Sequence, residues 1–87
     1  LEIAQRANLL ADGYSPLMVM VADGREDDVI RLLRKKNDKW SNPNTCHSVR
    51  RDHSAHDSIC AYTVACKHKD VRMIRLLAHH GEAPTYE

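Results

Sequence analysis

A short apolar stretch followed by a longer amphipathic one occurs twice in this chain, and that duplication restricts the fold more than any other feature. Ser15-Pro16-Leu17-Met18-Val19-Met20-Val21 leads through a polar turn into Val29-Ile30-Arg31-Leu32-Leu33. Cys60-Ala61-Tyr62-Thr63-Val64-Ala65-Cys66 leads through a second turn into Met73-Ile74-Arg75-Leu76-Leu77. A unit of this kind cannot bury its apolar face alone, so two of them side by side imply a repeat architecture.

The local grammar supports helices. Asp12-Gly13 is a turn signal, Ser15 can cap a helix, and Pro16 suits a first helical turn, where no amide partner is needed. Residues 17–21 are apolar all round and read as an inner helix buried between neighbours. After Asp23-Gly24-Arg25, the acids Glu26, Asp27 and Asp28 open an outer helix at its positive end, and Arg34, Lys35 and Lys36 close it at its negative end. Asn37 then stands where a left-handed stop is expected. The second unit repeats this, with Lys67-His68-Lys69 as its turn and Gly81 in the place of Asn37. Ser15 and Cys60 are 45 positions apart but Leu32 and Leu76 are 44 apart, which predicts one extra residue in the first inter-helix turn.

The expected fold class is all-α, a short stack of helix-turn-helix repeats forming one domain over 1–87. Residues 1–13 are expected to be an N-terminal helix or cap, or the end of a preceding repeat. Residues 14–37 form the first repeat, 38–59 an extended connecting loop, 60–83 the second repeat, and 84–87 a tail. The connection reads as a loop because its polar residues show no period. Phe is absent, so the core must come from Leu, Ile, Val, Met and Ala, which suits thin helical layers. The first residue is Leu1 rather than Met, consistent with a segment of a longer protein.

The two units resemble ankyrin repeats. Asp12-Gly13-Tyr14-Ser15-Pro16-Leu17 is similar to the family's repeat entry, and Val29-Ile30-x-Leu32-Leu33 and Met73-Ile74-x-Leu76-Leu77 are similar to its outer helices. Met18 and Thr63 stand where the family often has His, and Met20 and Val21 replace two small residues. The family period is about 33 residues, so the connection after Asn37 carries about 11 extra. In this family that connection is the projecting finger beside the concave binding surface. The resemblance therefore implies a protein-interaction module, with the finger residues Trp40, His47, Arg50 and Arg51 and the inner-helix positions Met18 and Thr63 as the expected contact surface.

Other chemistry is less well supported. The net charge is +1, which exerts no global pull on nucleic acid or membrane, and no apolar run is long enough to span a bilayer. A basic cluster of Arg31, Arg34, Lys35, Lys36 and Lys39, with Arg50-Arg51 added to it and Lys67 and Lys69 in the second turn, leaves nucleic acid as a weak alternative partner. Three cysteines, an odd number, argue against a disulfide framework and for an intracellular setting. Cys46, His53, His56 and Cys60 could pin the loop through zinc, but their C-x6-H-x2-H-x3-C spacing matches no strong zinc pattern. No cofactor is expected. Cys46-His47 are sequence neighbours, which rarely gives the geometry of nucleophilic catalysis, so no enzymatic activity is expected. The remaining alternative is an accessory repeat pair packed on another domain of its parent chain.

Overall fold

Ser15 starts the first inner helix as the residue types demand. Its hydroxyl accepts a hydrogen bond from the Met18 amide at 3.2 Å, and Pro16 occupies the first turn. The computed structural model describes residues 2–35 and 42–81. Within them the elements run α1 (Ile3–Ala11), α2 (Pro16–Asp23), α3 (Glu26–Leu33), β1 (His47–Arg50), β2 (His56–Ile59), α4 (Ala61–Lys67) and α5 (Val71–His80).

The two helix pairs lie side by side. The inner helices α2 and α4 pack on one another, the outer helices α3 and α5 do the same, and α1 packs against α2. Arg72 Nε reaches Glu26 Oε1 at 2.9 Å, which ties the starts of α5 and α3 together. At the other end, a Cβ built on Gly81 would stand 3.0 Å from Leu33. The outer helices therefore run in the same direction. Between the pairs lies one core of Leu17, Met18, Val21, Val29, Leu33, Val64, Ala65, Met73 and Leu77, joined by Val49 and Ile59 from the strands. Complete burial of each large aliphatic side chain here contributes about 1.5–3 kcal/mol.

The expected all-α class is wrong. Among the described residues the fold is mixed, five helices with a two-stranded antiparallel sheet. The strands fall inside residues 38–59, expected to be loop. The pairing is His47 with Ile59, Ser48 with Ser58, Val49 with Asp57 and Arg50 with His56. Each strand carries one fully buried apolar residue, Val49 or Ile59, both 4% exposed. That single anchor per strand is too little to show as an alternating pattern. The turn over residues 51–55 is closed by Asp52, whose carboxylate accepts from the amides of Ser54 and Ala55, both at 2.9 Å.

The extra residue expected in the first inter-helix turn is also corrected. The two turns have the same length and the same hydrogen bonds. Gly24 donates to Val21 and Arg25 to Met20; 45 residues later Lys69 donates to Cys66 and Asp70 to Ala65. Gly24 (φ 72°) and Lys69 (φ 53°) take the same left-handed conformation. The one-residue difference lies further on. Val29 and Leu33 are buried four and eight residues after the N-cap Arg25, whereas Met73 and Leu77 are buried three and seven after the N-cap Asp70. The buried stripe of α5 is thus turned by about 100° relative to that of α3. Gly81 is not left-handed but extended, with φ −123° and ψ −157°. The expected stop at Asn37 lies outside the described residues.

Candidate protein-interaction surface

Antiparallel pairing puts alternate residues on opposite faces. His47, Val49, Asp57 and Ile59 form the inward face of the hairpin, and Ser48, Arg50, His56 and Ser58 form the outward one. Arg50 and His56 face each other across the strands, and both are exposed. Among the described residues neither side chain has an ion-pair or hydrogen-bond partner. Arg51, at the start of the turn, differs: its guanidinium lies 3.6 Å from the Asp57 carboxylate.

The hairpin is held at its flank by the start of the first repeat. The Arg50 amide donates to the Asp12 carbonyl at 2.7 Å. Gly13 sits so close to β1 that a Cβ there would collide with the Ser48 carbonyl oxygen. Beside this junction Leu10, Gly13, Tyr14, Ser15, Pro16, His47 and Ser48 line an open groove. Its floor is mainly apolar, and its wall is the strand that carries Arg50. Hydrogen bonds from Ser54 and Ala55 hold the Asp52 carboxyl at the hairpin tip below the usual carboxylate range.

The expected contact residues separate into distinct groups. His47 lines the groove, Arg50 stands on the open face of the hairpin, and Arg51 is paired at the turn. Met18, expected on an exposed position, is only 1% exposed and belongs to the hydrophobic core. Thr63 is half-buried, and its hydroxyl accepts from the Cys60 amide at 3.3 Å as part of the α4 cap. Trp40 lies outside the described residues. Tyr14 and the pairing partner of Arg50, His56, enter this surface although sequence reasoning did not assign them to it. The available signal was the β-branched pair Val49 and Ile59 flanking an Asp-His-Ser turn.

The possible zinc ligands do not converge. Cys46 and Cys60 lie at the base of the hairpin, whereas His53 and His56 lie at its tip. Cys60 is four positions along the strand from His56, about 13 Å. Four ligands around one zinc lie about 2.0–2.3 Å from the ion. Among the described residues no three His, Cys, Asp or Glu side chains are placed to share a metal. The basic residues are dispersed as well. Arg34 and Lys35 follow the end of α3, while Lys67 and Lys69 flank the turn before α5, next to the opposite end of α3. Arg31 lies 3.6 Å from Asp28. Lys36 and Lys39 lie outside the described residues. No described helix is long and apolar enough to cross a membrane.

No family model, curated protein or solved structure matches this chain.

Proposed function

We propose that this chain is a non-catalytic protein-interaction module of an intracellular protein, built from ankyrin-like helix pairs, with the hairpin and the adjoining groove as its contact surface. The observation that carries the proposal is the Arg50–His56 cross-strand pair, exposed and without a partner among the described residues, on a hairpin pinned to the helices. A rigid scaffold displaying a few unsatisfied groups beside an apolar groove meets the requirements of hot-spot binding. The chemistry selects a partner segment carrying a carboxylate next to an apolar side chain, with the carboxylate on Arg50 and the apolar group against Tyr14 and Pro16. Arg is suited to this because its planar fork can hold both carboxylate oxygens.

An array of peptides graded in Asp and Glu content, probed with the parent protein and with Arg50→Ala and Tyr14→Ala variants, tests the assignment. Arg50→Ala is expected to melt like the parent and Tyr14→Ala, whose ring packs against the core, somewhat below it while still folded, and each to lose about tenfold in affinity for the acidic peptides, the scale of one hot-spot residue. Retention indifferent to both substitutions counts against the surface.

A second observation favours the accessory reading. Ile3 is 80% and Leu10 50% exposed, and with Arg6, Ala7, Pro16, Val19 and Met20 they line an apolar groove between α1 and α2. Such a groove suits an adjoining polypeptide domain. Sedimentation of the isolated chain and of an Ile3→Lys, Leu10→Lys variant discriminates the two. Self-association abolished by the lysines supports packing against a neighbour, and a monomer in both forms supports the free-standing module.

A further inference from the structure

The hairpin register places two thiols opposite one another. The last ladder pair at the base is His47 with Ile59, so the next residues outward on the two chains are Cys46 and Cys60. Cys60 keeps extended dihedrals (φ −125°, ψ 179°), so strand-like geometry continues through it. Cys46 is turned to solvent, whereas the Cys60 side chain packs at the edge of the core and caps α4, so closure requires a rotation at Cys60. Directly opposed residues in antiparallel strands have Cα atoms about 4.5–5.5 Å apart, inside the window of about 4.4–6.8 Å that a disulfide spans. Both thiols are free; Cys46 is exposed and Cys60 partly so.

We propose that Cys46 and Cys60 are a dithiol site that closes reversibly into a cross-strand disulfide at the base of the hairpin. The inference does not depend on the binding role proposed above. The co-reactant is a small-molecule disulfide of the glutathione class. The exposed Cys46, as its thiolate, attacks one sulfur of that disulfide, breaking its S–S bond and expelling one thiolate. The Cys60 thiolate then attacks the Cys46 sulfur of the mixed disulfide and expels the second. The protein loses two protons and two electrons, and the small disulfide is reduced to two thiols. To reach Cys46, the Cys60 sulfur must leave the Thr63 hydroxyl, now 3.4 Å away, and the Thr63 amide that it caps, while Cys46 gives up a weak contact of 3.8 Å to the Asn44 carbonyl. The bond between the Cys60 amide and Thr63 is unaffected by that rotation, so α4 keeps part of its cap.

The third cysteine is an internal control. Cys66 lies six residues along α4 from Cys60, about 9 Å by helical rise, beyond the roughly 7 Å limit for a bridge. The closed ring encloses 15 residues, counting both cysteines, and ties the segment before β1 to the start of α4.

The test is oxidation of the folded chain with glutathione disulfide, followed by alkylation and peptide mapping of the parent protein. The expected product is a monomer lighter by two hydrogens, with Cys46 joined to Cys60 and Cys66 alkylated. Its melting temperature should rise on the order of 10 °C, from the closed loop's effect on the unfolded chain, and fall back on reduction. Cys66→Ser should behave like the parent, while Cys46→Ser and Cys60→Ser should give no ring and no thermal shift. A stable mixed disulfide at Cys46 that Cys60 never resolves, a bridge containing Cys66, or only intermolecular dimers would each overturn the proposal.

Discussion

The carbonyl oxygen of Asp12 accepts a hydrogen bond from the amide of Arg50, 2.7 Å away. This bond connects the loop that starts the first repeat to the strand that carries the exposed guanidinium. The hairpin is therefore an extension of the helical scaffold, docked through Val49 and Ile59 below and through Asp12 at its side. Gly13, next to Asp12, permits the approach. Its φ of 110° is outside the range of ordinary side chains, and the Ser48 carbonyl fills the space a Cβ would need. Gly13→Ala is expected to cost about 2 kcal/mol or more, visible in urea melts. Amide exchange should show the hairpin protons losing protection before those of α5.

Met18 distinguishes a core residue from a contact residue. Its burial in the core predicts a loss of about 2–5 kcal/mol for Met18→Ala. A role in partner contact would instead leave the melting curve nearly unchanged. Thermal denaturation of the variant decides between them.

The two left-handed turn residues make a matched pair. A Cβ on Gly24 would meet nothing within 4 Å, so Gly24→Ala tests backbone conformation alone and should cost about 1 kcal/mol. Lys69 holds the equivalent position with a side chain, and Lys69→Gly should stabilise by ~0.5–1 kcal/mol. Equal effects of opposite sign would show that the turns are energetically equivalent. A destabilising Lys69→Gly would mean that the lysine stem contributes more than the strain it carries.

Asp52 gives the hairpin a pH dependence. The amides of Ser54 and then Ala55 favour its carboxylate, so its pKa is lowered in the folded state. A group depressed on folding stabilises fully above its unfolded pKa, about 3.9, and that contribution is lost as pH falls through the lower folded value. Carboxyl titration by NMR should show Asp52 protonating below the usual carboxylate range, with the Ser54 and Ala55 amide shifts following the same curve. Asp52→Ala should remove this step and loosen residues 51–55. Asp52→Asn, which retains an acceptor oxygen, should keep the turn and lose only the pH dependence.

The helix pairs were legible because their signals are local and redundant. Ser15 before Pro16, acids at the start of α3 and apolar residues at helical spacing all indicate the same structure. The hairpin was not, because its stability is not local. Val49 and Ile59 count as strand anchors only once the helices supply a core for them, and Arg50 finds Asp12 across 38 positions of chain. Met18 was misplaced for a related reason. By itself α2 is apolar all round, so its pattern cannot say which side faces α4. Thr63, the residue 45 positions later, is partly exposed because no helix among those described covers that side of α4.

The unequal phase of α3 and α5 has consequences for assembly. Although their connecting turns superimpose in hydrogen bonding, the two outer helices present their apolar edges at different clock positions. A verbatim duplicate of the first unit grafted at positions 60–78 would put Val29 where Ile74 stands and Leu33 where Ala78 stands. The graft would seat Leu32 in the place of Leu77 but force the Asp28 carboxylate into the fully buried place of Met73. This pair is consequently a keyed joint: each half accepts the other, and tandem copying of either half alone would not extend the array.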